Sequence, residues 1–424
     1  MRQITPGLVV LMWMLLIQVG AAADWPQFRG SHGAGVSSDS ALPTTWNHQE
    51  SIVWKTDLPG PGSSSPITFG DSIYVTCYSG YGMSANSPGE KSKLLRHLVC
   101  LRRDTGRIRW QVDLPASGNE HEYRGYIHLH GYASHTPVAN DSGVYAFCGA
   151  SGLVAYTHEG KRKWLADCGK KNHEWGSGTS PLLFDNLVIV AARIESGSLI
   201  AFDQRSGREA WRAEIGFGHG SPALVAVGTT YELVFVRGRQ VIGADPATGK
   251  ELWWCSVKTE LAIPMPLAHE GTVYVMTRGQ TAAIRAGGRG DVSDTHLVWE
   301  ASRGSHVAMP VLYEGHLYFP HDEQGVVYCL NSRTGELVYE QRLPLSPRYL
   351  YASPVIADGK LYYVSQKNGV YVLPARPKYS LLAHNTFASD ETMFNATPAI
   401  SRGQLLLRSG KAIYCLGTKG RGVK

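Results

Sequence analysis

Histidine and acidic side chains are the groups here best able to move protons or hold metals, and they gather in one stretch. Between Leu114 and Gly131 the chain places His121, Glu122, Tyr123, Arg124, Tyr126, His128 and His130. His128 and His130 are two residues apart, so an extended backbone would turn both toward one side. With His135 or His121 they could then ligate a metal. The spacing matches no established zinc motif, so an exposed polar loop accounts for it as well, and the metal stays unknown. Further groups of this kind are His173-Glu174, Glu195, His219, Arg278, His306 and the run His321-Asp322-Glu323. The candidate ligand-binding set is His121, Glu122, Arg124, His128, His130, His135, His219 and His306. No residue is assigned as catalytic.

Other chemistries lack their residues. The chain has no Gly-x-Ser-x-Gly elbow, no His-Glu-x-x-His, no phosphate-binding Gly-Lys-Ser/Thr loop and no kinase motif. The net charge of +6 is spread along the sequence without a basic block, which excludes nucleic acid as the expected partner. The seven Cys have no tight spacing, so they read as small core residues and not as a disulfide or zinc framework.

The elements that carry these groups repeat. A motif of small residues, Pro and an apolar strand recurs at Pro66, Pro137, Pro181, Pro222, Pro266, Pro310, Pro354 and Pro398, with gaps of 71, 44, 41, 44, 44, 44 and 44 residues. A period near 44 suits a four-stranded propeller blade. In the unit at Pro354, Val355 to Ala357 is a strand, Asp358-Gly359 a hairpin turn, Leu361 to Ser365 a second strand and Val370 to Leu373 a third. Better-formed units add a Thr-Gly or Ser-Gly turn and a fourth strand with Trp, as at Trp110, Trp211 and Trp253. Pro lacks an N–H and fits the inner edge strand. The last unit lacks a fourth strand, whereas Ile52 to Lys55 precedes the first motif as a surplus one. That strand is expected to complete the last blade and close the ring. The fold class is therefore all-β: an eight-bladed β-propeller of four-stranded antiparallel blades, occupying residues 24–424 as one domain.

Residues 1–23 read as a signal peptide. Arg2 supplies the positive end, Leu8 to Val19 is apolar apart from Gln18, and Ala21-Ala22-Ala23 offers small residues for cleavage after Ala23. The apolar run is shorter than the about 20 residues that span a bilayer. A periplasmic or secreted protein is expected, with no transmembrane span after cleavage.

In a propeller the loop between strands two and three shares a face with the loop to the next blade. The two long insertions, Tyr78 to Arg96 and Leu114 to Gly131, are both of these kinds and should lie side by side. Residues entering first strands, His135, His219 and His306 among them, should approach the axis from that face.

The segment from Ala201 to Trp211, Ala-Phe-Asp-Gln-Arg-Ser-Gly-Arg-Glu-Ala-Trp, is similar to the tryptophan-docking motif of quinoprotein dehydrogenases and related propellers of the pyrroloquinoline-quinone (PQQ)-like repeat class. Gly243 to Trp253 matches nearly as well. Elsewhere Arg102 and Asn331 replace the Asp, and Tyr339 replaces the Trp. The segment Asp24 to Gly30 resembles the opening of secreted bacterial proteins of this class, notably those of planctomycetes, often described as BamB-like. The resemblance implies that Trp54, Trp110, Trp164, Trp211, Trp253 and Trp299 dock between blades. Dehydrogenases of the family place the quinone beside a vicinal Cys-Cys disulfide, over a Trp floor, with calcium held by acidic and amide groups. No two Cys here are adjacent and no calcium ligands can be mapped, so no cofactor is expected, PQQ with calcium included. The expected function is an exported, non-enzymatic binding or scaffold module for a protein or envelope partner. The alternatives are a PQQ-dependent or other small-molecule oxidoreductase, or a glycan-binding propeller using the His-rich face.

Overall fold

The computed structural model describes residues 24–47, 51–258 and 263–418. The expected signal peptide lies outside the described residues. Eight sheets of four antiparallel strands form the ring, one of them carrying an added parallel strand; in seven the strands run in chain order from the axis outward, and in the eighth the outermost strand is the first of the chain. Blade 1 runs through Ile67–Phe69, Ser72–Ser79, Leu95–Arg102 and Ile108–Pro115. Blades 2 to 7 begin at Val138, Leu182, Ala223, Leu267, Val311 and Val355. Blade 8 is completed as expected: Ile52–Asp57 pairs antiparallel with Ala412–Leu416, Trp54 opposite Cys415. This gives the last blade its outer strand and leaves no sheet broken at the ring's seam. The Asp358-Gly359 turn has φ of 53° and 65°, the left-handed pair that suits a two-residue hairpin. All seven Cys are buried and unpaired, as their core reading requires.

Blade-to-blade contacts are repeated indole–glycine packings. Trp54, Trp110, Trp164, Trp211 and Trp299 each lie against the glycine turn of the next blade, at Gly106, Gly160, Gly207, Gly249 and Gly335. Their Nε1–H groups donate to Arg103, His158, Gln204, Pro246 and Ser332 carbonyls at 2.8–3.3 Å. A Cβ at Gly335 would sit 2.6 Å from the Trp299 ring, and φ there is +74°, so the position demands glycine twice over.

Trp253 departs from this set. It is fully buried, but it packs on Gly243 of its own blade and donates to Glu232 Oε2 at 2.7 Å. Blade 5 has no Thr-Gly turn to receive it. In that place the chain inserts residues 286–296, whose Gly290–Asp291 adds a fifth, parallel strand beside Trp253 and Trp254.

Two further features shape the axis. Residues 24–37 strap the inner strands from blade 1 to blade 7. Trp25 accepts the Thr68 N–H and donates its own N–H to Thr68 Oγ1, and Gly35 and Ser37 bracket Ile356. Between them Arg29 is buried without a carboxylate among the described residues. Its guanidinium donates instead to the Gly33, Ala34, Pro310 and Pro354 carbonyls, and burial pushes its pKa down to about 9. The two insertions pack together through Tyr78, Tyr81, Tyr123 and Tyr132, with Tyr81 Oη accepting the Tyr123 N–H.

Removing a docked indole should leave a cavity the rigid turn cannot fill. Trp299→Ala is expected to lose about 3–5 kcal/mol. Gly335→Ala should also lower the denaturant midpoint, although it removes no contact. Unchanged midpoints in both variants would contradict this account of blade docking.

Candidate functional site

Each inner strand starts at the Pro motif, where the residue before Pro is held extended. That places its side chain at the axis and its N–H toward the next blade. The result is a belt of hydroxyls. Ser65 N–H donates to Thr136 Oγ1, Thr136 N–H to Ser180 Oγ and Ser180 N–H to Ser221 Oγ. Met309 N–H donates to Ser353 Oγ, and Ser353 N–H to Thr397 Oγ1. Met265 and Met309 occupy the belt positions of blades 5 and 6, making that arc apolar.

The belt surrounds a cavity of about 270 Å³ on the ring's axis. The strap brings Phe28 into its wall, while Tyr126, Trp175, His219, His306 and Tyr351 line the side of the interblade loops. Trp175 stacks on His219 with centroids 5.2 Å apart, and Tyr126 meets Trp175 edge-on at 5.4 Å. No Lys or Arg is among the described lining residues, and the one carboxylate, Glu323, is bonded to Arg278 at 2.7 Å. Burial holds His130 and His306 below the ordinary imidazole range and pushes His219 down to about 4, with His173 adding to the effect. These three rings are therefore uncharged at neutral pH. The cavity offers hydroxyl, amide and neutral ring donors against aromatic and thioether surface, without a cation.

The candidate residues fall into three places. His130, His219 and His306 line the axial cavity. His121 and His135 line a smaller cavity of about 40 Å³ beside it, behind the Gly176-Ser177 wall. Glu122 and Arg124 are exposed and face each other at 3.8 Å. His128 bonds the Tyr123 carbonyl through Nε2 at 2.6 Å.

The expected extended segment is instead a helical turn, Ile127–His130, set between Gly125 and Gly131. Two residues along a helix turn the side chain to the far side, so His128 and His130 diverge. His130 is held by Ser134 Oγ and the Trp175 carbonyl. Among the described residues no three His, Cys, Asp or Glu side chains gather as a metal site.

The smaller cavity holds two buried carboxylates in opposite states. Glu120 pairs with Arg96 at 2.9 Å and accepts the Ser117 and Gly118 N–H groups, which keeps its pKa below the ordinary value. Glu195 has no partner at Oε2, and burial raises its pKa to about 7. The sequence marks Glu195 among the polar groups of this face, outside the ligand-binding set, and does not mark Trp175, Met265, Met309 or Phe28. Of these last four only Trp175 left a signal, an aromatic beside His173-Glu174 in an interblade loop.

Comparison with known proteins agrees with this architecture. The family model described as outer membrane protein assembly factor BamB matches residues 94–228 and 195–418. The chain thus belongs to the BamB-type family of PQQ-like repeat propellers. The outer membrane protein assembly factor BamB of Burkholderia pseudomallei is 36% identical over 129 residues, 29% of this chain and 30% of that protein. A tetrathionate hydrolase of Acidithiobacillus ferrooxidans is 25% identical over 244 residues, 53% of this chain and 43% of that enzyme. The chain thus spans less than half the length of either relative. A europium-containing methanol dehydrogenase shares the fold, with TM-score 0.68 and 10% identity over 93% of this chain and 98% of that one. No helix among the described residues is long and apolar enough to cross a membrane.

Glu195 supplies a pH test. An acid whose pKa is raised by folding contributes stability below its unfolded value of 4.5, and that contribution is lost as pH rises through about 7. Glu195→Gln removes the titration. The variant should match wild type near pH 4.5 and exceed it at pH 8 by on the order of 3 kcal/mol. Thermal melts across that range check this, and a pH-independent difference would contradict it.

Proposed function

We propose that this protein is a non-catalytic binding propeller of the bacterial envelope, periplasmic or secreted, which holds a protein partner on the face where the axial cavity opens. The observation that carries this is the position of exposed apolar surface. The four most exposed large apolar side chains among the described residues are Leu345 at 72%, Tyr126 at 52%, and Met83 and Phe217 at 51%. All four sit in interblade or strand-two-to-three loops on that face. Apolar side chains ringing a polar-lined concavity mark protein docking surfaces. Membership of the BamB-type family supports a partner-binding role, and the leading segment expected to be a signal peptide supports export.

The enzyme reading takes its support from the tetrathionate hydrolase and the dehydrogenase fold. Tetrathionate is a dianion, and PQQ carries several carboxylates. Both call for cations that the described lining lacks, and a hard divalent ion needs six or more oxygen ligands where only Glu323 is acidic. These residues do not fit quinone with calcium, and we propose that the protein uses no cofactor.

The test is a photo-crosslinking residue placed singly at Phe217, Leu345, Val338 and Leu382 in cells that make the protein. A discrete adduct at Phe217 and Leu345, absent at the two blade-edge positions, is the expected result. Adducts confined to Val338 and Leu382 would move the partner to the blade edges. Turnover of tetrathionate by the purified protein would overturn the non-catalytic reading.

A further inference from the structure

The axial cavity is built for something smaller than a protein. The six belt hydroxyls in its lining, at Ser65, Thr136, Ser180, Ser221, Ser353 and Thr397, belong to residues each at least nine-tenths buried. Five accept a backbone N–H from the neighbouring blade, yet none donates its own proton within the described residues. Those protons remain for whatever fills the axis. His219 Nε2 is also buried there without a partner. Leaving such groups unmet is costly, so the occupant must be rich in acceptors. It need not be an anion, because no described Lys or Arg lines the cavity and the lining carboxylate Glu323 is already paired with Arg278.

Much of the remaining surface is apolar. Met265, Met309 and Phe28 form one arc, and Tyr126 and Trp175 lie at the loop side. A sugar ring has these two aspects: an equatorial rim of hydroxyl and ether oxygens, and faces of C–H groups that pack on aromatic and thioether surface. About 270 Å³ is just under the usual range for ligand cavities, room for an end and not for a chain.

We propose that the axial cavity takes the uncharged terminal sugar of a carbohydrate, its hydroxyls meeting the Ser/Thr belt and His219 Nε2, and its C–H face meeting Trp175. This rests on the reading that the cavity face is the binding face, and is independent of which protein docks on the rim.

Calorimetric titration of the full protein with maltotriose, cellotriose and chitotriose, and with trigalacturonate as an anionic control, tests it. Saturable binding of at least one neutral trisaccharide is expected, with trigalacturonate much weaker. His219→Phe keeps the ring stack and removes Nε2, and should weaken binding about tenfold, the loss of one hydrogen bond. Trp175→Ala should weaken it further. The proposal falls if none of the three neutral sugars binds, if trigalacturonate binds as well, or if folded His219→Phe binds like wild type. Sugar failure with rim crosslinks at Phe217 and Leu345 intact removes this proposal alone. Loss of the rim crosslinks removes the reading beneath it.

Discussion

An indole laid on a glycine turn, with its N–H bonded to a carbonyl two or three residues earlier, recurs at five of the interfaces between successive blades. It fixes the distance and angle at which each blade meets the next, because both partners are stiff. The indole is clamped in an outer strand, and the glycine occupies a backbone conformation that other residues reach only with strain. Repeated around the ring, this contact makes the circumference a set quantity. The axial opening is then what is left when eight blades of set width close on themselves. Its size owes little to the residues that line it, which frees those residues to vary in chemistry.

The axis uses that freedom unevenly. Hydroxyl side chains before Pro are recruited as acceptors for backbone N–H groups that an edge strand would otherwise leave unpaired. They thereby join blades and line a cavity with the same atoms. Met265 and Met309 break the belt and give the cavity an apolar side. The site is therefore a product of the scaffold's own hydrogen-bond needs, with polarity where the blades require acceptors and apolar surface where they do not.

The ring was legible because a period of 44 and a misplaced strand can be read without tertiary knowledge, and Trp54 paired where closure demanded. Trp253 was not legible. Its motif is well formed, but docking needs a receiver, and residues 286–296 had replaced the turn that would have received it. His219 and His306 could be placed because topology sends strand entries to the axis. The pairing of His128 with His130 failed because Gly125 and Gly131 bound a single helical turn, too short to show a period. Phe28 left no local trace, and Glu195 stood out only as one polar group among several. Phe28 reaches the axis on a strap whose anchors lie far along the chain, and Glu195 differs from Glu120 in lacking the ion pair with Arg96 and the Ser117 and Gly118 N–H donors.

The strap carries a consequence for how the molecule is made. Arg29 is anchored by carbonyls of Pro310 and Pro354, 281 and 325 residues further along. Those acceptors do not exist in folded form until blades 6 and 7 have assembled. The Arg29 guanidinium, synthesised early, must therefore wait for these two acceptors until nearly the whole ring has formed. Such distant contacts slow folding, because the entropy of closing the loop is spent before the contact repays it. Once seated, the guanidinium bridges the Pro310 and Pro354 carbonyls, and one of these two bonds must break before blades 6 and 7 can separate. Bonds that come late in assembly add to the barrier against disassembly and leave the rate of folding nearly untouched.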